Sequence, residues 1–172
     1  KAYAKTAQYD IAMSEWFSAQ IEENKEPFAP LFSLTGARKQ SLRYGENPHQ
    51  QAARYHERNE APAWPDRLIQ HGGKEMSYIN LLDVDASWSL VNGFSDTACV
   101  VVKHANPCGV ALADEAVEAY RRAFACDDLS AFGGVVALNC ELDVATAEAI
   151  AGVFTEVVVA PSYADGALEA LS

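Results

Sequence analysis

Two hydrophobic patterns alternate along the second half of this chain. Ala98, Cys99, Val100, Val101 and Val102 follow one another without a polar break. An unbroken apolar run of that kind fits a strand covered on both faces, so a strand is expected over Ala98–Lys103. Beyond it the sequence predicts a helix over 115–125, a strand over 134–138, a helix over 144–151, a strand over 155–160 and a short helical piece after Tyr163. Upstream, Leu81, Val84, Trp88 and Val91 fall on one helical face, with Asn80 as the expected cap. Strands alternating with helices predict an α/β fold of three layers, α/β/α, in which a mixed sheet with parallel strand pairs is covered by helices on both faces.

The first third is less regular. Tyr9, Met13, Trp16, Phe17 and Ile21 recur at helical spacing, which predicts an amphipathic helix before Asn24. The charged stretch EENKEPFAP at 22–30 carries two prolines and reads as a linker at a domain boundary. A strand is expected to begin within 31–34, and a surface loop over 61–65.

Composition narrows the function. A chain of 172 residues has room for one ordinary domain with a core. The formal net charge of −11 argues against a nucleic-acid binder, since phosphate contact needs clustered Lys and Arg. It leaves room for one small phosphorylated ligand held by a few local donors. No apolar run reaches the ~20 residues of a membrane span, and the start lacks an apolar signal core. Cys99, Cys108, Cys126 and Cys140 are spaced without any CxxC pair, which suits reduced thiols in a cytoplasmic protein and gives no support to a zinc site.

Candidate chemistry gathers at turns. Lys103 and His104 stand where the apolar strand ends, and Asn106, Pro107 and Gly109 are read as the break that follows. An imidazole at the exit of a rigid element suits proton transfer, and an adjacent ammonium suits a developing oxyanion. In open parallel sheets ligands sit beyond the carboxyl ends of strands, the position expected for this pair. Arg43 offers a fork for phosphate, and Tyr44 a ring and a hydroxyl. Asn47, His49 and Gln50 in the loop GENPHQ are read as turn and structural hydrogen-bonding residues. Gly133 and Gly134 allow close approach of the backbone to a ligand, or a bulge.

Four blocks in order carry a resemblance: SLRYGENPHQ at 41–50, GGKEMSYINLLDVDASW at 72–88, VVKHANPCG at 101–109 and LSAFGGVVALN at 129–139. Together they resemble the bifunctional purine-biosynthesis proteins that join IMP cyclohydrolase to AICAR transformylase. The resemblance covers essentially the whole chain and implies an internal segment of a longer enzyme. It places 1–24 as the last helix of the cyclohydrolase domain, 25–40 as linker and first strand, and 41–172 as the first half of the transformylase domain. It implies a cytidine deaminase-like fold, a homodimer, and formyl transfer from 10-formyltetrahydrofolate, as cosubstrate, to the 5-amino group of AICAR, with ring closure to IMP elsewhere in the protein. By the same resemblance His104 and Lys103 are catalytic, while Arg43, Tyr44, Asn80, Gly133 and Glu156 face the nucleotide. Ser130 and Phe132 lie on the folate side.

No metal is expected. Zinc deaminases use HxE and PCxxC, whereas here Asn106 stands where HxE needs its Glu, and Pro107-Cys108 is followed by Gly109, Val110 and Ala111. The alternative is a zinc-independent nucleotide-binding or interaction domain of this fold without activity of its own. It leaves the Lys-His strand exit unexplained.

Overall fold

The computed structural model describes residues 2–21, 32–57 and 64–172. The expected linker at 22–30 lies outside the described residues, as do residue 31 and most of the expected loop at 61–65. α1 (Ala2–Ile21) is a helix, as its spacing predicts, but Tyr9, Trp16 and Phe17 are exposed on it. The residues at 32–35 are not a strand. β1 (Gly36–Ser41) begins after them and pairs antiparallel with β2 (Ala53–Glu57). A 3-10 turn at Trp64–Arg67 follows, with Trp64 Nε1 donating to Asp85 at 2.8 Å. Where the sequence suggested a loop, Trp64 is thus fixed to the next helix.

That helix, α2 (Tyr78–Val91), buries Asp83, Val84, Ser87 and Val91. Its cap is Ser77, not Asn80. Ser77 Oγ accepts the Asn80 N–H, and the Asn80 side chain accepts the Ser77 N–H in return. This is a reciprocal capping box, which places Asn80 inside the first turn.

The main sheet has the order β4-β3-β5-β6. β3 (Ala98–Lys103) and β5 (Val135–Leu138) are buried in the middle, flanked by β4 (Asn106–Leu112) and by β6 (Val157–Val159). Alternation along β3 sends Ala98, Val100 and Val102 toward the α2 side. Cys99 and Val101 point to the opposite layer, formed by α3 (Ala116–Ala125) and α5 (Val144–Ala151). A strand with a helix layer on each face must be apolar throughout, which is why its run is unbroken. α4 (Asp128–Ala131) leads into β5, and α6 (Ala167–Ala170) packs on α5.

Two expectations need correction. Asn106, Pro107 and Gly109 do not end the sheet. They lie within β4, which pairs antiparallel with β3 and carries a bulge between the pairs Val101↔Gly109 and Val102↔Pro107. β5 and β6 run parallel, as a mixed sheet requires, whereas β3 is antiparallel to both of its neighbours. The carboxyl end of β3 is therefore also the amino end of β5 and of β6. Lys103 sits there, but the rule for parallel sheets is not what places a ligand at that end.

Candidate active site

β3 and β4 are joined by a two-residue turn. Lys103 pairs with Asn106, which leaves His104 and Ala105 between them. Their φ angles are 55° and 57°, both left-handed. A tight hairpin of type I′ needs positive φ at both central positions, because that backbone matches the twist of the strands. Gly or Asn adopts it readily, whereas other residues cost roughly 1–2 kcal/mol each. The turn is restrained by two hydrogen bonds. Asn106 Nδ2 donates to the His104 carbonyl at 2.8 Å, and the Ala105 N–H donates to Asp83 Oδ1 at 2.6 Å. His104 is exposed and Lys103 half-buried.

Lys103 Nζ donates to the Phe132 carbonyl at 2.8 Å. This bond brings the end of β3 against the glycine step that opens β5. Gly133 has φ +72°, which a glycine adopts without strain, and its N–H donates to the Phe154 carbonyl at 2.8 Å. A methyl group on Gly134 would lie 2.8 Å from the Val102 carbonyl oxygen, so this position admits only hydrogen. The Gly134 carbonyl accepts the Glu156 N–H at 2.9 Å. Glu156 is thereby set at the same sheet end, one residue before β6 rather than within it as the sequence suggested. Ser130 and Phe132 are exposed beside this step. The Ser130 hydroxyl and N–H hydrogen-bond Asp127 and hold its carboxyl below the usual range, and the Phe132 ring lies 5.5 Å from that of Phe154.

Arg43 and Tyr44 belong to a second group of residues, joined to this one by α2. Tyr78 N–H donates to the Tyr44 carbonyl at 3.1 Å, and Arg43 N–H to that of Met76 at 3.4 Å. Arg43 Nη2 reaches the Tyr44 hydroxyl at 3.2 Å and Asn80 Oδ1 at 3.5 Å. Asn80 Oδ1 also accepts the Ser77 hydroxyl at 2.9 Å. Three residues along the same helix, Asp83 reaches the His104–Ala105 turn. The loop that follows Arg43 and Tyr44 is closed by Asn47 and Gln50, whose mutual hydrogen bonds span 2.8 and 2.9 Å. His49 is exposed and does not share in them.

Asp83 is the residue that the sequence reading passed over. Its signal was a carboxylate beside Val84 on the face that meets the sheet. Burial pushes the Cys108 thiol up, Asp127 and Asp83 add to that, and Lys103 opposes it. These charges thus share one electrostatic neighbourhood.

A groove of about 730 Å³ lies alongside, lined by His71, Lys74, Val84, Phe154, Glu156 and Tyr163 among others. Lys103, His104 and Arg43 therefore sit outside this groove, and Glu156 is the site residue that reaches it. Among the described residues no group of three or more His, Cys, Asp or Glu side chains is arranged to hold a metal ion. Among them also, no helix is long and apolar enough to cross a membrane.

Comparison with known proteins agrees with the four sequence blocks. The family model described as AICARFT/IMPCHase bienzyme matches residues 1–172. A bifunctional purine biosynthesis protein PurH of Sinorhizobium medicae is 49% identical over 170 residues, covering 97% of this chain and 31% of that protein. Its counterpart in Roseobacter denitrificans is 52% identical over 164 residues, 93% of this chain and 30% of that protein. The one from Myxococcus xanthus is 50% identical over 177 residues, covering 100% of this chain and 33% of that protein. The chain spans about a third of the length of these curated relatives.

Proposed function

The chain belongs to the AICARFT/IMPCHase bienzyme family, and from that membership we propose that it supplies the AICAR-binding and proton-transfer half of a formyltransferase site. The longer protein would act in purine biosynthesis as a homodimer. It would pass the formyl group of 10-formyltetrahydrofolate to the 5-amino group of AICAR and close the product to IMP in its other domain.

The observation that carries the reading is the shared sheet end. Lys103 and His104, the Gly133–Gly134 step and Glu156 meet there through the bonds from Lys103 to Phe132 and from Glu156 to Gly134. α2 ties Arg43, Tyr44 and Asn80 to the same end. On this reading the Arg43 guanidinium holds the nucleotide phosphate, Tyr44 and Asn80 flank it, and Glu156 takes ribose hydroxyls as an acceptor. Ser130 and Phe132, exposed beside the glycine step, face the folate.

The 5-amino group is a weak nucleophile because its lone pair is delocalised into the imidazole ring and the carboxamide. Its nitrogen attacks the formyl carbon, a C–N bond forms, and the carbonyl electrons move to oxygen. His104 takes the amine proton. Lys103 stabilises the oxyanion, since one of its three N–H donors holds Phe132 and two remain. Collapse then breaks the bond to the folate nitrogen, which leaves with a proton returned by His104.

In the full-length protein, His104→Ala lowers formyl transfer by at least ~100-fold, the scale of a general acid-base group, and leaves ring closure of the formylated product intact. Normal formyl transfer in this variant overturns the reading. So does a parallel loss of both activities accompanied by unfolding in circular dichroism.

A further inference from the structure

The turn that carries His104 is held from another element by Asp83 of α2, whose Oδ1 accepts the Ala105 N–H at 2.6 Å. Asp83 is 6% exposed and shares the sheet-facing row with Val84, Ser87 and Val91. A carboxylate is a poor choice for that row unless a hydrogen bond compensates its burial. Here the donor is an N–H that the hairpin leaves outside its own ladder. The remaining side-chain restraint, from Asn106 to the His104 carbonyl, lies within the hairpin and moves with it. It cannot fix the turn relative to α2. Asp83 can, and through Asn80 the same helix reaches Arg43.

We propose that Asp83 is a positioning residue for the transferase site: by holding the Ala105 N–H it keeps the His104–Ala105 pair left-handed and fixes the imidazole relative to Lys103 and the nucleotide side. This rests on the reading of His104 as the proton-transfer group. A displacement on the order of 1 Å at such a group is enough to cost ~100-fold in rate. The role is therefore visible in kcat more than in nucleotide affinity.

The test is made in the full-length protein with AICAR and 10-formyltetrahydrofolate. Asp83→Ala lowers kcat by about 10- to 100-fold, with less than about a threefold change in KM for the nucleotide. Asp83→Asn keeps a carbonyl acceptor and retains at least about a third of the rate. Ala105→Gly, added to Asp83→Ala, recovers at least about threefold, because glycine holds positive φ without a tether. On a His104→Ala background Asp83→Ala costs less than about threefold, since there is no imidazole left to position. Amide exchange at Ala105, followed by mass spectrometry, accelerates in Asp83→Ala.

An Asp83→Ala protein with wild-type kcat overturns the proposal, as does a loss that multiplies in full with that of His104→Ala. If Asp83→Ala does not fold, Asp83→Asn decides: retained rate supports the role, and a rate as low as that of His104→Ala overturns it. Normal formyl transfer in His104→Ala overturns the functional reading and this role together. A slow His104→Ala beside a normal Asp83→Ala overturns this role alone.

Discussion

The Lys103 ammonium donates to the Phe132 carbonyl across 2.8 Å, so the last residue of one central strand anchors the glycine step that opens the other. The bond uses a long flexible side chain to join two segments 29 residues apart. It leaves the charged group half-buried at the sheet end. That placement separates two contributions of Lys103, one to the oxyanion and one to the local backbone.

Lys103→Ala in the full-length protein is expected to lower kcat for formyl transfer by about 100- to 1,000-fold, the range for losing one oxyanion donor. Lys103→Arg is not expected to restore it, because a planar guanidinium cannot reproduce a compact ammonium at this site. Steady-state kinetics with both substrates measures this. A kcat within a few-fold of wild type in Lys103→Ala would leave the lysine with only its backbone contact.

Arg43→Ala is expected to weaken AICAR binding by some tens-fold, about 2 kcal/mol for a lost charge-assisted phosphate contact, and to change folate binding less. Titration calorimetry with each ligand separates the two. Equal weakening of both would mean that Arg43 acts through the Tyr44 and Asn80 network and not on phosphate.

Gly109 of β4 lies under α3. A Cβ there would run into the Ala123 carbonyl and stand 2.9 Å from Cys126 Cβ. Backbone cannot give way as a side-chain tip can, so Gly109→Ala is expected to destabilise by about 3 kcal/mol, at the upper end of overpacking penalties. Urea denaturation checks it, and a change under about 0.5 kcal/mol, the level of ordinary surface substitutions, would contradict this packing.

Alkaline pH is expected to destabilise the protein. Burial pushes the Cys99 thiol well above its ordinary value of 9.0, and burial also raises Cys140 and Tyr163. Below about pH 9 both the folded and unfolded chains keep these protons, and the contribution is fully present. Above it the unfolded chain releases protons that the folded chain retains, so the unfolded state gains and stability falls as pH rises. The urea midpoint should be flat from neutral pH to just below this point and decline above it. Cys99→Ala should flatten the decline by up to about 1.4 kcal/mol per pH unit.

How much of this was written in the sequence differs element by element. β3 was legible because cover on both faces makes its apolar run unbroken, and α3 and α5 because burial of one face against the sheet forces a helical periodicity on each. β1 was not, since GARKQS is almost wholly exposed and shows no alternation. β4 was misread because Asn106, Pro107 and Gly109 look like breakers. Gly109 is there for the close approach of α3, and the turn is made by His104 and Ala105, which carry no turn signature. Asn80 reads as the cap because Asn is a favoured capping residue just before the apolar face, but it is the inner member of a capping box that Ser77 opens. The parallel β5–β6 pair was legible from the helix between the two strands, whereas the antiparallel course of β3 was not, since an apolar run reads the same in either direction. Lys103, His104 and Arg43 stood out as charged or titratable groups at element ends. Asp83 did not, because only the hairpin's position shows what its carboxylate is for.

The left-handed His104–Ala105 pair sets stability and activity against each other at one spot. Judged by folding alone, Asn followed by Gly is the preferred occupant of such a turn. Replacing the native pair by those two residues (His104→Asn with Ala105→Gly) should raise stability by about 1–2 kcal/mol, seen as a higher thermal midpoint, while formyl transfer is lost. A thermostabilisation campaign scored on melting temperature alone would therefore converge on a better-folded protein with its proton-transfer group removed. Residues 104 and 105 are the two positions to hold fixed in any such library.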